Sequence, residues 1–205
     1  MNQDFAGTPR GLTAVPLGDL IDKSRSGDRA AADQLARWCL PRVRRTVLLS
    51  CGGGPDVDDL VQTVMAKVLT RLDTFRGEAG FFMWVDRITI NAVRDHYRRQ
   101  SRGVFMLYND EWEEHQVQPT PRPDRDVDRQ RLMERLSYHL DKLKPAQRLP
   151  LVLHLLHGYT VPEVAAMLEL SFEATKKRLL RGRRMLMDRL TKDPQCREIL
   201  GEMGR

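Results

Sequence analysis

Apolar residues recur at helical spacing along most of the chain. The clearest case lies between positions 57 and 72, where the apolar positions are Val57, Leu60, Val61, Val64, Met65, Val68, Leu69 and Leu72. This 3.6-residue period predicts an amphipathic helix with one wide apolar face. Similar patterns predict helices from Leu17, after the N-cap candidate Asp28, and from Phe81 to Gln100, with Pro41 expected to begin or kink a segment. No stretch alternates convincingly as a strand would, so the predicted fold class is all-α.

The helical pattern stops at residue 101 and returns near Val127. Pro119, Pro121 and Pro123 alternate with polar residues in this stretch, which is too long for an ordinary loop within one compact domain. We therefore predict two small helical domains, 17–100 and 129–192, joined by a flexible linker, 101–128. Residues 1–16 are expected to form a disordered tail and residues 193–205 a C-terminal tail.

The second domain carries the pattern of a helix-turn-helix. A helix is predicted from Ala146 to His157, and Thr160 then precedes Glu163 by three residues, which is a capping-box arrangement. Glu169 and Leu170 form the predicted turn, and Ser171 is the N-cap candidate of the next helix. Two short helices joined by a tight turn, the second of them densely basic, are typical of DNA-binding domains.

Basic residues are concentrated at two places. The chain has a formal net charge of +6, and one short stretch without acidic residues carries six cations: Lys176, Lys177, Arg178, Arg181, Arg183 and Arg184. A second run holds Arg94, Arg98, Arg99 and Arg102. Either run alone is compatible with a solvated helix face, but two runs on separate amphipathic helices favour phosphate binding. An exposed face of the second helix, including Lys176, Lys177, Leu180 and Arg181, would read base edges and hold phosphates.

Several other classes of protein are disfavoured. Three cysteines cannot build a disulfide framework, and no apolar run approaches the roughly 20 residues that span a bilayer. We therefore expect a soluble, cytoplasmic protein with no membrane insertion. His154 and His157 share a helix face, but no third ligand follows at metal spacing. With no phosphate loop or nucleophile motif either, we predict no enzyme activity, no cofactor and no metal site.

Three segments resemble regions of bacterial extracytoplasmic-function sigma factors, which keep only sigma regions two and four. The segment from Asp58 to Val64 is similar to the start of the polymerase-binding helix. The stretches Phe75–Gly77, Phe82–Ile88 and Asn91–Asp95 resemble the promoter-melting region. The helix-turn-helix and the basic segment that follows it resemble the final domain of that family.

The resemblance implies binding to core RNA polymerase, recognition of double-stranded promoter DNA and capture of the melted non-template strand. It assigns core polymerase binding to Asp58, Asp59 and Gln62. It assigns contact with the minus-ten element to Phe75, Arg76, Asn91, Arg94, Arg98 and Arg99, with Trp84 expected in the core. Contact with the minus-thirty-five element falls to Ser171, Lys176, Lys177, Leu180, Arg181 and Arg184. An anti-sigma factor is a further partner that the resemblance implies.

The chain also departs from the family pattern. Glu169 occupies a turn position where glycine is frequent, so either a positive φ there is strained or the turn differs from that of the family. The acidic linker residues Asp110, Glu111, Glu113 and Glu114 are hypothesised to mimic nucleic-acid charge in a polymerase channel.

The rival interpretation is a helix-turn-helix regulator that acts without core polymerase, and a third is a module whose basic faces bind an acidic protein.

Overall fold

A computed structural model describes residues 16–52, 54, 56–77, 80–100 and 127–197. Within these residues the chain forms eight helices of seven residues or more: α1 Leu17–Arg25, α2 Arg29–Cys51, α3 Val57–Thr70, α4 Phe81–Gln100, α5 Val127–Asp141, α6 Pro145–Leu151, α7 Val161–Leu168 and α8 Phe172–Lys192. A 3₁₀ turn, Leu72–Thr74, follows α3, and a π-helical turn, Val152–Leu156, continues α6. The part of the chain that is described contains no strand, which confirms the all-α prediction.

Helices α1 to α4 form the first domain. Asp28 caps α2 as expected, because its Oδ1 accepts the backbone N–H groups of Ala30 and Ala31 at 2.9 and 3.1 Å. Pro41 does not begin a new segment, because α2 runs through this exposed proline as one helix of 23 residues. The core of the domain is lined by aliphatic side chains from three helices: Leu35, Val43, Val47, Val64, Val68, Val85 and Val93.

Helices α5 to α8 form the second domain, whose core contains Leu140, Leu143, Leu151, Leu179 and Leu186. The helix expected over residues 146–157 begins one residue earlier, at Pro145, and changes from α-helical to π-helical geometry after Leu151. Gly182 lets α8 approach α6 closely, because a Cβ at this position would lie 2.9 Å from Leu151 Cδ1. The sequence pattern had located the helices but not this close crossing.

The ends of the predicted segments need adjustment. The expected C-terminal tail begins at residue 193, yet Asp193 and Cys196 are buried against the second domain. The folded part therefore extends past α8, because these two side chains lose their contact with solvent. The linker assignment overlaps α5, which already begins at Val127. Residues 1–15, 101–126 and 198–205 lie outside the described residues, and so does the acidic linker segment.

The two domains pack against each other. Leu149 and Leu153 on the second domain, with Val164, Met167 and Leu168 of α7, belong to the same buried cluster as the core of the first domain. The apolar face of α7 is therefore turned toward α4 instead of being left to solvent. This packing brings the turn of the helix-turn-helix close to the basic end of α4.

Candidate polymerase and promoter interfaces

The helix-turn-helix has the geometry expected from its capping residues. The backbone N–H of Thr160 donates to the Glu163 carboxylate at 2.7 Å, and the N–H of Glu163 reaches the Thr160 hydroxyl at 3.5 Å, which completes a capping box. At the start of α8, Ser171 Oγ accepts the N–H of Ala174 at 3.2 Å. Both helix starts are thus fixed by local hydrogen bonds that the sequence predicts.

The turn between α7 and α8 uses a left-handed residue that is not glycine. Glu169 has φ 57° and ψ 45°, so of the two alternatives open at this position, a strained positive φ or a different turn, the chain adopts the first. The N–H of Leu170 donates to the carbonyl of Ala165 at 2.9 Å, which is the six-to-one bond of a Schellman motif. The tight turn is therefore retained, and Glu169 bears the strain of the left-handed conformation.

Helix α8 separates an apolar side from a cationic side. Thr175, Leu179, Gly182 and Leu186 are buried at spacings of four, three and four residues. The predicted minus-thirty-five residues are exposed, with Leu180 at 63%: Ser171, Lys176, Lys177, Leu180, Arg181 and Arg184. Ser171 Oγ already accepts the capping hydrogen bond, so this side chain fixes the start of α8. The arrangement presents ammonium and guanidinium donors around one exposed leucine, which suits phosphates and a thymine methyl group.

The predicted minus-ten residues of α4 are not all equally accessible. Asn91, Arg98 and Arg99 are exposed on α4. Arg94 is only 16% exposed, and it pairs with Glu169 at 3.4 Å. The second domain therefore neutralises one of the cations that the resemblance assigns to DNA.

An aromatic cluster supports the loop before α4. The Phe75 ring is half-buried and lies edge-on to Phe81, with centroids 5.4 Å apart, and it also contacts Trp84 at 5.7 Å. Trp84 is half-buried and packs against the first-domain core, in agreement with its expected place. Arg76 is exposed next to Gly77, where φ is +78°. Of the two predicted loop residues, Arg76 has the more accessible side chain.

The predicted polymerase-binding residues lie on the exposed side of α3. Asp58, Asp59 and Gln62 all face solvent, while Val57 and Leu60 point into the core. Asp58 also forms an exposed ion pair with Arg44 of α2, at 2.7 Å. Two carboxylates and an amide thus form a polar surface at the positive end of the helix dipole.

A buried polar network at the domain contact was missed by the sequence analysis. Asp86 of α4 is 0% exposed, receives hydrogen bonds from Nε and Nη2 of Arg42, and accepts the Tyr159 hydroxyl at 2.6 Å. His157 Nδ1 lies 3.7 Å from the same carboxylate. The only sequence signal was an acid within an otherwise apolar helix face, and its partners are 44 to 73 residues away along the chain.

His157 is held in its neutral form by this environment. Burial is the main cause that lowers the pKa of His157 to about 4, and the positive charges of Arg42 and Arg45 lower it further. The negative charge of Asp86 acts in the opposite direction but is outweighed. The Nε2 of His157 lies 2.8 Å from Thr46 Oγ1, and that hydroxyl donates to the carbonyl of Arg42 at 2.8 Å. The Thr46 hydroxyl proton is engaged with the Arg42 carbonyl, so Thr46 Oγ1 must accept the hydrogen bond from His157. The neutral imidazole therefore carries its proton on Nε2 and donates a hydrogen bond to Thr46 Oγ1.

A second buried cluster ties the C-terminal segment to α5. His139 Nε2 lies 2.6 Å from Asp193 Oδ2, and Cys196 Sγ lies 3.5 Å from the same oxygen. Burial raises the pKa of Asp193, but hydrogen bonds from Arg135 and His139 outweigh it and hold the pKa well below its usual range. Arg135 supplies a positive charge beside the buried Asp193 carboxylate.

Comparison with known proteins identifies the two domains. The family Sigma-70 region 2 matches residues 35–103, and Sigma-70 region 4 matches residues 133–186. The sigma factor CnrH of Cupriavidus metallidurans is 30% identical over 68% of this chain and 76% of its own length. The extracytoplasmic-function sigma factor SigE of Mycolicibacterium smegmatis is 29% identical over 82% of this chain, which spans 65% of that relative.

Solved structures agree with this assignment. CnrH in complex with the cytosolic domain of CnrY has a TM-score of 0.57 and 26% identity, covering 85% of this chain and 97% of that one. The sigma factor RpoE in complex with the anti-sigma factor NepR from Bartonella quintana shares the fold, with a TM-score of 0.59, 22% identity, and coverage of 78% and 97%.

The helical fold and the two matched sigma regions define a transcription initiation protein with a helix-turn-helix. The chain belongs to the extracytoplasmic-function group of RNA polymerase sigma factors. Members of this family bind core RNA polymerase and direct it to promoters, so the regulator that acts without polymerase is not favoured. Across the described residues, no helix has the length and apolar character needed to cross a membrane.

Proposed function

We propose that this sigma factor contacts core polymerase through α3, the minus-ten element through α4 and its preceding loop, and the minus-thirty-five element through α8. The observation that carries the proposal is the exposed cationic side of α8 on a fully capped helix-turn-helix. The same chain presents an exposed acidic surface on α3 and exposed arginines at the end of α4. An ordinary helix-turn-helix regulator would give these two surfaces no role.

On the upstream element, Lys176, Lys177 and Arg181 would hold phosphates and base edges while Leu180 packs against a thymine methyl group. On the downstream element, Arg98 and Arg99 would hold the backbone while Arg76 lies beside the unstacked base. Extruding a base costs on the order of a few kcal/mol, and the cations on both sides of the strand offset this cost. The protein itself supplies binding and no catalytic chemistry.

The DNA assignment is tested by a triple charge reversal, Lys176→Glu, Lys177→Glu and Arg181→Glu. We expect loss of binding to a minus-thirty-five duplex and retention of core polymerase binding. The matched control is Lys23→Glu, Arg29→Glu and Arg37→Glu, three exposed cations of the first domain that change the net charge equally. Unaltered duplex binding by the α8 variant, or equal loss in both variants, would reject the assignment of α8.

The polymerase assignment is tested by Asp59→Arg, which reverses the charge of the exposed α3 surface. We expect loss of co-purification with core polymerase and of run-off transcription, while duplex binding through α8 is retained. Asp33→Arg, an exposed acid of α2, is the control. If Asp59→Arg still directs transcription at the wild-type level, the polymerase contact lies elsewhere.

An anti-sigma factor is proposed as a further partner, because the two solved relatives are each held by another protein and one of these is named an anti-sigma factor. We further propose that the protein acts in the cytoplasm, where core polymerase is found. The alternative that the basic faces bind an acidic protein is tested by salt dependence, since phosphate contacts give a steep loss of DNA affinity with rising salt.

A further inference from the structure

An arginine of α1 binds the backbone of the loop before α4. The Arg25 guanidinium donates to the carbonyl of Leu72 through Nε at 3.3 Å and through Nη2 at 3.2 Å. The same Nη2 also donates to the carbonyl of Phe75. Leu72 begins the 3₁₀ turn after α3, and Phe75 is the first residue after that turn. One side chain of α1 therefore joins carbonyls at the two ends of the turn.

Helix α1 is a fixed support for this side chain. Ile21 is buried in the core of the first domain, and Arg25 follows it by one helical turn, in the last turn of α1. The Nη1 of Arg25 pairs with the exposed Asp22 at 3.3 Å. This pair occupies one side of the guanidinium and leaves Nε and Nη2 directed at the loop, so the packing of α1 determines where the loop carbonyls are held.

The loop that Arg25 binds carries the exposed Arg76. The Phe75 ring is held against Phe81, with centroids 5.4 Å apart, and the Phe75 carbonyl is held by Arg25. That carbonyl shares a planar peptide unit with the N–H of Arg76, so fixing it also fixes the direction in which the chain enters Arg76. Arg25 and the aromatic cluster thus constrain the backbone of residue 75 from two sides.

The geometry suits a guanidinium better than an ammonium group. A guanidinium presents several N–H donors in a rigid planar fork, whereas lysine carries a point charge on a flexible stem. Only the fork can hold both carbonyls in one fixed arrangement. Because both acceptors are neutral, the contact also leaves the positive charge of Arg25 near Arg76.

We propose that Arg25 is a positioning residue for capture of the melted minus-ten strand, because it orders the loop so that Arg76 is in place before DNA arrives. Ordering a loop or a long side chain during binding weakens affinity, and an ordered loop avoids this loss. The proposal rests on the proposed contact between this loop and the minus-ten element. It gives a role to α1, which precedes the span matched to Sigma-70 region 2, residues 35–103.

The test uses holoenzyme formed from core polymerase and the full-length chain. The probe is a promoter fragment that wild-type holoenzyme selects from a pool with randomised minus-ten and minus-thirty-five elements. Opening of the duplex is measured by the permanganate reactivity of unpaired thymines, and binding of the minus-thirty-five duplex is measured separately. If the wild-type chain selects no promoter at all, the proposed function fails and not only the role of Arg25.

Arg25→Gln removes the contact, and Lys23→Gln is the matched control because it removes the same charge from an exposed residue of the same helix. We expect Arg25→Gln to lower the amount of open complex about tenfold, with minus-thirty-five and polymerase binding unchanged. Lys23→Gln should open the promoter as the wild type does. Equal opening by Arg25→Gln and Lys23→Gln would overturn the proposal.

Arg25→Lys separates positioning from charge. Lysine keeps the charge but loses the fork, so we expect it to open the promoter nearly as poorly as Arg25→Gln. The salt dependence of opening should match that of the wild type in both variants, because no phosphate contact is lost. Wild-type opening by Arg25→Lys, or a salt slope reduced by about one in Arg25→Gln, would make Arg25 a phosphate contact and overturn the proposal.

The Arg25 side chain is 30% exposed, so its replacement should leave the first domain folded. Circular dichroism and retained polymerase binding check this for each variant. If Arg25→Gln does not fold, the comparison of Arg25→Lys with the wild type decides.

Discussion

Replacing Glu169 by glycine should stabilise the helix-turn-helix. Glu169 holds φ at 57°, and the left-handed conformation costs an L-residue roughly 1–2 kcal/mol relative to glycine. The substitution also lowers the free energy of unfolding by about 0.4–1 kcal/mol, because glycine makes the unfolded chain more flexible. The pair that the exposed Glu169 carboxylate forms with Arg94, at 3.4 Å, contributes about 0.3 kcal/mol, since pairs with one partner in water are weak.

The alanine variant separates the backbone effect from the loss of the ion pair. Glu169→Ala and Glu169→Gly both remove the carboxylate, but only alanine retains the Cβ that opposes positive φ. We expect Glu169→Gly to be more stable than Glu169→Ala by about 0.5–1 kcal/mol. For a chain of this length, that difference raises the melting temperature by roughly 2 °C.

The assay is thermal and urea unfolding of the full-length chain, followed by circular dichroism at pH 7. The alanine variant should be less stable than wild type, because it loses the pair with Arg94 and keeps the strain. The reasoning would be refuted if Glu169→Gly were no more stable than Glu169→Ala, since residue 169 could not then be left-handed in solution.

Three further substitutions test other parts of the structure. Thr160→Ala removes the capping box with Glu163 and should lower unfolding free energy by about 1 kcal/mol in urea titrations; an unchanged midpoint would contradict the cap. Gly182→Ala should destabilise the protein, because the clash with Leu151 outweighs the gain of about 1 kcal/mol in helix propensity. A rise in melting temperature would contradict the close crossing of α6 and α8. His157 binds fewer protons folded, with a pKa of about 4, than unfolded at 6.5, so stability should fall by about 2 kcal/mol between pH 7 and pH 5. Unfolding at both pH values, with His157→Gln as the control, checks this, and an equal loss in the control would assign the fall to other groups.

Local sequence patterns were sufficient wherever neighbours along the chain decide the structure. The caps at Asp28, Thr160 and Ser171 are confirmed, because each side chain bonds a backbone N–H two or three residues away. Helix α4 has the predicted limits, Phe81 to Gln100. The exposed cationic side of α8 also follows from the 3.6-residue period, since that period fixes which residues share a face.

Pro41 and the end of α6 show where local rules fail. Pro41 removes one backbone donor, yet α2 continues through it, because tertiary packing of its apolar stripe stabilises the helix on both sides. The π-helical turn after Leu151 and the burial of Asp193 likewise depend on contacts with other helices. The 3.6-residue hydrophobic period carries no information about which distant helices come into contact.

The sequence by itself determined the helices, their caps, the turn at Glu169 and the order of the two sigma regions, because these depend on residues within a few positions of one another. Only the tertiary structure decided that Arg148 enters the first domain, that Asp86 gathers Arg42 and Tyr159, and that Arg94 meets Glu169. These partners are 44 to 98 residues apart along the chain. Burial in a shared core brings them together, and no local pattern records which distant partner each charge will find.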